Sequence, residues 1–126
     1  MFELKIRNHF SAAHKILEHQ GKCRFLHGHN WNVDVIVHAE NLDRIGMAVD
    51  FSHLKSALKE IIDPLDHVCL NDLPLFSSVE NNPTAENISR HIFFEMGSRL
   101  RHLAPHARIA RVDVYETDTC SASYFE

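Results

Sequence analysis

His27 and His29 stand two residues apart in the segment HGHNW. On an extended chain, side chains at i and i+2 leave the same face with Cα atoms roughly 6.6 Å apart, so both imidazoles can reach one metal ion at Zn–N distances of about 2.0–2.1 Å. A third ligand must come from elsewhere. His14, at the end of the first strand region, is the natural candidate, with His9 and His19 as competitors. Three neutral histidines leave one tetrahedral position open, the pattern of a catalytic rather than a structural zinc. An open zinc binds a substrate oxygen and stabilises negative charge there. Taken alone, HxH also describes a turn with two surface histidines, so the neighbouring residues carry the argument.

Cys23 lies four residues before His27, in a loop rather than an apolar run. A thiol beside a dication has its thiolate favoured. Cys23 is thus a fourth ligand, a general base or an inert thiol; Cys69 and Cys120 read as inert. Asp66 and His67 form a second pair. Adjacent residues on a strand point apart, so a relay between them needs a turn, which Pro64 can supply. Glu116 continues the apolar face begun by Val112 and Val114, where a carboxylate is costly unless it is hydrogen-bonded. Such a group suits a ring presenting adjacent N–H donors, and a strand-end glutamate pointing into water is the plainer alternative.

Positioning these groups requires strands. Phe2, Leu4 and Ile6 alternate with Glu3, Lys5 and Arg7, the period-2 pattern of a half-buried strand. Residues 15–29 have no clear period and contain Gly21 and Gly28, which predicts a loop ending near His27. Trp31, Val33, Val35 and Val37 then alternate with Asn30, Asn32, Asp34 and Ile36, a second and longer strand. Residues 41–46 turn the chain, and 47–51 form a short extended piece. Ser52 can cap a helix carrying Leu54, Leu58, Ile61 and Ile62, stopping before Asp63-Pro64. Thr84 can cap a longer one carrying Ile88, Ile92, Met96, Leu100 and Leu103, with Pro105 beyond its end. Residues 109–117 are β-rich and 121–126 can close the sheet. The order β-β-α-α-β-β predicts an α+β domain, an antiparallel sheet with both helices on one face, whose open edges favour oligomerisation.

The chain has 126 residues, 44% hydrophobic and 24% charged, which suits a single globular domain over 1–126 without disulfide staples. A net charge of −4 with histidine neutral argues against general nucleic-acid binding. No apolar run is long enough to span a bilayer, and the start lacks the features of a signal peptide. Three widely spaced cysteines without a CxxC pair fit a reducing cytoplasm.

Six segments, FSAAH (10–14), C-x3-HGHNW (23–31), VDF (49–51), LDH-x2-LN (65–71), PTAEN (83–87) and YET (115–117), together resemble the 6-pyruvoyltetrahydropterin synthase / 6-carboxytetrahydropterin synthase family, in that family's order and over nearly the whole chain. The resemblance implies the tunnelling fold (T-fold), with zinc held by His14, His27 and His29 and Cys23 as the catalytic thiol. It implies an acid/base pair, Asp66 and His67, supplied by a neighbouring subunit. Glu116 would anchor the pterin's amino-pyrimidine edge, and Thr84 and Glu86 would line the same pocket. It further implies a homohexamer built from two trimers, each trimer closing into a barrel. The three-residue gap between Cys23 and His27, and the compact length, resemble the bacterial 6-carboxytetrahydropterin synthases more than the pyruvoyl synthases. The implied reaction takes 7,8-dihydroneopterin triphosphate to 6-carboxy-5,6,7,8-tetrahydropterin, in queuosine biosynthesis. The alternatives are elimination of triphosphate to the 6-pyruvoyl product, and a non-catalytic zinc-binding module.

Overall fold

The alternation that starts at Phe2 runs on to His14, and the computed structural model, which describes residues 1–126, makes it one strand, β1 (Phe2–His14). β1 pairs antiparallel with β2 (His27–Ala39) without a slip, setting His14 opposite His27 and Ala12 opposite His29. The chain continues through α1 (Phe51–Ile62), a two-residue β3 (Val68–Cys69), α2 (Ala85–Leu103), β4 (Ala107–Thr117) and β5 (Cys120–Tyr124). The sheet order is β3-β1-β2-β4-β5, antiparallel except for β3, which runs parallel to β1.

One face of the sheet is apolar because the period-2 pattern puts Ile6, Phe10, Trp31, Val33, Val35, Val37, Val112 and Val114 on the same side. These pack against Leu54, Leu58 and Ile61 of α1 and Ile88, Ile92, Met96 and Leu100 of α2. Both helices therefore cover one face, as expected, and each such side chain contributes about 1.5–3 kcal/mol by leaving water.

Two local expectations are corrected. Residues 47–51 form no strand, and the cap of α1 is Asp50 rather than Ser52. The Asp50 carboxylate accepts the Ser52 N–H at 2.7 Å, and its negative charge complements the helix N-terminus as a serine hydroxyl cannot. Thr84 does cap α2, accepting the Asn87 N–H at 3.2 Å. The third finding is β3: two residues are too few to leave a periodic signal.

The opposite face carries no helix and is polar. Asp34 and Asp113 face each other across β2 and β4. Like charges directly opposite are unfavourable. Here Lys5 (2.9 Å) and Arg7 (Nη2 to Oδ2, 2.8 Å) hold Asp34, while Arg111 (2.8 Å) and the Ser123 hydroxyl hold Asp113. β3 shadows β1 only at Ala12 and Ala13, so most of the outer edge of β1 and the outer edge of β5 have no partner strand within the chain.

Candidate metal centre

At one end of the sheet the core face runs out of apolar residues. Continuing the same parity past Ala12, Trp31 and Val114 brings His14, His29 with His27, and Glu116, whose ligand-capable atoms all lie within 4.8 Å of one another. The three imidazole centroids are 4.5–5.1 Å apart. His14 took the third place because it ends the strand that pairs with β2. His9 and His19 are exposed, and His19 turns back to accept the Gly21 N–H at 2.8 Å.

Backbone carbonyls set the tautomers. The Nδ1 of His14 is 2.7 Å from the Pro83 carbonyl, and that of His27 is 2.7 Å from the Phe25 carbonyl. A carbonyl only accepts, so each Nδ1 carries the proton and each Nε2 presents a lone pair. The Nε2 atoms of His14 and His29 are buried without a hydrogen-bond partner. Glu116 Oε1 lies 2.8 Å from His29 Nε2 and 3.7 Å from His14 Nε2, and forms a hydrogen bond with neither. Leaving such groups unpaired costs about 1–3 kcal/mol each, a penalty that a bound cation would remove. Burial pushes the His14 pKa down, against the Pro83 carbonyl and with the nearby His27, so its imidazole stays neutral, the form that ligates metal. Three imidazoles with a neighbouring carboxylate fit zinc.

Trp31 forms the floor of this cluster. Its ring meets His14 and His29 edge-on at 4.9 and 5.4 Å, and its Nε1–H donates to the Ala12 carbonyl at 3.3 Å. Cys23 sits half-buried in a single 3₁₀ turn, Lys22–Arg24, as a free thiol outside the ligand cluster.

Asp66 and His67 follow the 3₁₀ turn Asp63–Leu65 that Pro64 initiates. His67 has φ of 57°, a left-handed conformation costing a non-glycine residue roughly 1–3 kcal/mol. Its N–H donates to the Ser11 carbonyl at 2.6 Å, and its imidazole stands 81% exposed. Asp66 takes the Ser11 N–H at 2.9 Å on one oxygen and the His67 Nδ1–H at 2.8 Å on the other. These bonds, Ser11 first, hold the Asp66 carboxyl below the usual carboxylate range. Asp66 thereby engages the Nδ1 side of the ring and fixes the orientation of the exposed imidazole. His67 and His29 share an open depression of about 490 Å³, also lined by Ser11, Gly28, Asn30 and Cys69.

Thr84 spends its hydroxyl on the helix cap, and Glu86 is exposed in the first turn of α2. Within the chain the PTAEN segment reaches the histidine cluster through the Pro83 carbonyl. The roles of Pro83 and Phe25 escaped the sequence reading because a backbone carbonyl has no side-chain signature, and Trp31 read only as a strand residue.

Comparison with known proteins gives this constellation a family. A model of 6-pyruvoyl tetrahydropterin synthase matches residues 3–126. A 6-carboxy-5,6,7,8-tetrahydropterin synthase of Synechocystis sp. is 38% identical over 121 residues, covering 92% of this chain and 87% of its own. One from Rickettsia conorii is 33% identical over 135 residues, covering 95% and 97%. The structure of Caenorhabditis elegans 6-pyruvoyl tetrahydropterin synthase superposes with a TM-score of 0.82 over 99% of this chain and 95% of that one, at 23% identity, which bears on the fold alone. With the family match running through all five strands and both helices, this chain belongs to the 6-pyruvoyl tetrahydropterin synthase family.

Proposed function

We propose that the protein is a zinc-dependent carbon–carbon lyase. It converts 7,8-dihydroneopterin triphosphate and water to 6-carboxy-5,6,7,8-tetrahydropterin, acetaldehyde and triphosphate, a step towards 7-deazaguanines such as queuosine. The names of the relatives support the pterin chemistry. The observation that carries the reading is the pair of buried, unpartnered Nε2 atoms on His14 and His29, beside His27. Held by these three histidines, zinc would supply an open Lewis-acid position for the hydroxyls of the substrate side chain.

The chain's own groups do the rest. Glu116 would accept N–H donors from the amino-pyrimidine edge and so fix the ring, with Thr84 and Glu86 lining the same pocket. Cys23 would take and return a proton at the side-chain carbons, and His67, oriented by Asp66, would exchange a second through its exposed Nε2. An imidazole this exposed and this firmly oriented suits a site completed by a neighbouring subunit. The unpaired outer edges of β1 and β5 suit closure of three copies into a barrel, and two such trimers into a hexamer. No helix is long and apolar enough to cross a membrane, and the free cysteines suit a cytoplasmic setting.

The deciding experiment is mass-spectrometric product analysis of zinc-loaded protein incubated with 7,8-dihydroneopterin triphosphate. The expected result is a carboxypterin with acetaldehyde. A pyruvoylpterin would move the reaction to triphosphate elimination without carbon–carbon cleavage. Untouched substrate with zinc still bound would favour a non-catalytic metal module.

A further inference from the structure

Past His14 the chain leaves the sheet and turns at Leu17 and Glu18, and two side chains hold the backbone over that stretch. The backbone of Ser11, Ala13, Lys15 and Leu17 faces the β3 side of β1. Ser11 is met by the Asp66 carboxylate and the His67 N–H, and Ala13 lies opposite Cys69 of β3. Beyond β3 no strand remains. At Lys15 the Asn71 amide takes over, accepting the Lys15 N–H at 2.9 Å and donating to its carbonyl at 2.9 Å. At Leu17 the Asn82 amide repeats the motif, accepting the N–H at 2.8 Å and donating to the carbonyl at 3.0 Å. A primary amide carries one acceptor and donors in the same plane, as a peptide unit does, so it can substitute for a rung of a β-ladder.

The intervening residue, Ile16, faces the other way, and its N–H donates to the Cys23 carbonyl at 2.7 Å. Asn82 is 7% exposed and is itself fastened, its carbonyl receiving the Asn87 side-chain N–H at 2.9 Å and the Thr84 N–H at 2.7 Å. The residue after it, Pro83, supplies the carbonyl that orients His14. Neither amide touches the histidine cluster, yet the strand extension they hold connects His14 to the turn bearing Cys23.

We propose that Asn71 and Asn82 are positioning residues, whose side-chain amides extend the β1 edge by two rungs and thereby set Cys23 relative to the histidine cluster. Their consequence for turnover rests on the lyase reading, but their consequence for Cys23 does not. A thiol that must meet one carbon of a bound substrate loses rate steeply with small displacements, whereas substrate affinity, held elsewhere, does not.

The test uses the zinc-loaded full chain and the variants Asn71→Ala, Asn82→Ala and the milder Asn82→Asp, which keeps the acceptor and loses the donor. Iodoacetamide labelling of the folded proteins, resolved by peptide mass spectrometry, gives the rate at Cys23 relative to exposed Cys120, an internal reference on β5. Opening this segment locally should raise the Cys23:Cys120 ratio by roughly fivefold. In the same preparations kcat should fall about tenfold with KM little changed. An unchanged labelling ratio in Asn71→Ala and Asn82→Asp, alongside a lowered melting temperature, would overturn the proposal and leave the amides a purely structural role. If wild-type protein shows no turnover, the lyase reading fails, and the labelling ratio still decides the positioning claim. Should Asn82→Ala not fold, the other two variants carry the test.

Discussion

β1, β2 and β4 each contribute to two buried polar clusters, and the clusters differ in one respect. On the helix-free face, Asp34 is almost wholly buried, yet Arg7 and Lys5 satisfy it, and the facing Asp113 is satisfied by Arg111 and Ser123. At the end of the helix-covered face, buried His14 and half-buried His29 each hold a buried Nε2 atom with no hydrogen-bond partner in the chain. A saturated polar cluster is architecture, since every group has been returned the hydrogen bonds it lost with water. An unsaturated one retains bonding capacity for something the chain does not contain. What separates the two clusters is the bonding capacity left over, which the two buried Nε2 atoms at the histidine end retain.

Variants that fall on either side of this comparison should separate activity from stability. The largest effect is expected from Cys23→Ala, with product formation reduced about 10²–10⁴-fold and zinc content unchanged by elemental analysis. Loss of zinc in that variant would make Cys23 a ligand and enlarge the unsaturated cluster. Glu116→Gln comes next. If Glu116 anchors the ring, KM rises roughly tenfold or more and zinc affinity holds, whereas a fall in zinc affinity would make the carboxylate the fourth ligand seen poised beside His29. On the saturated side, Asp34→Asn should leave turnover per folded molecule intact. It should lower stability in a urea melt by about 1–3 kcal/mol, a modest figure because Arg7 and Lys5 are half-exposed and can regain water.

The smallest effects are in pH dependence, and the two clusters should respond in different windows. The hydrogen bond from Arg7, reinforced by Lys5 against the opposing effect of burial, holds Asp34 below the usual carboxylate range. Its folded pKa is depressed, so its stabilisation is complete above the ordinary value of about 3.9 and fades as pH falls through the lower native value. The stability gap between wild type and Asp34→Asn should therefore close only in strong acid. His14 is held down by burial, so in zinc-free protein the unfolded chain takes up protons first, and stability should decline as pH falls below about 6.5. Parallel urea melts of zinc-free wild type and His14→Gln check this. A slope shared by both would assign the decline to other histidines.

The part of this comparison that lies on a strand was legible from residue types. His27 and His29 at i and i+2, and Glu116 in step with Val112 and Val114, follow from period-2 geometry alone, as does the burial of Trp31, Val33 and Val35. The saturated cluster was not legible. Asp34 read as one of the residues alternating with the apolar face, and its pairing with Asp113 depends on a register between β2 and β4 that includes a bulge after Ile36. The cap of α1 was missed by two residues because Ser52 and Asp50 both look like caps, and only the helix start at Phe51 decides between them. β3 pairs through its backbone and the amides that prolong it bind through their side chains, in both cases some fifty or more residues from their partners. No local pattern encodes such pairs.

Trp31 has a practical consequence. It is the single tryptophan of the chain, fully buried, with its ring against two of the three clustered imidazoles. Any change of charge on those rings, whether by proton or by metal, occurs beside the only indole in the molecule. The protein thus carries an intrinsic optical reporter at its candidate metal centre, and a fluorescence titration of unlabelled protein can follow occupancy there directly.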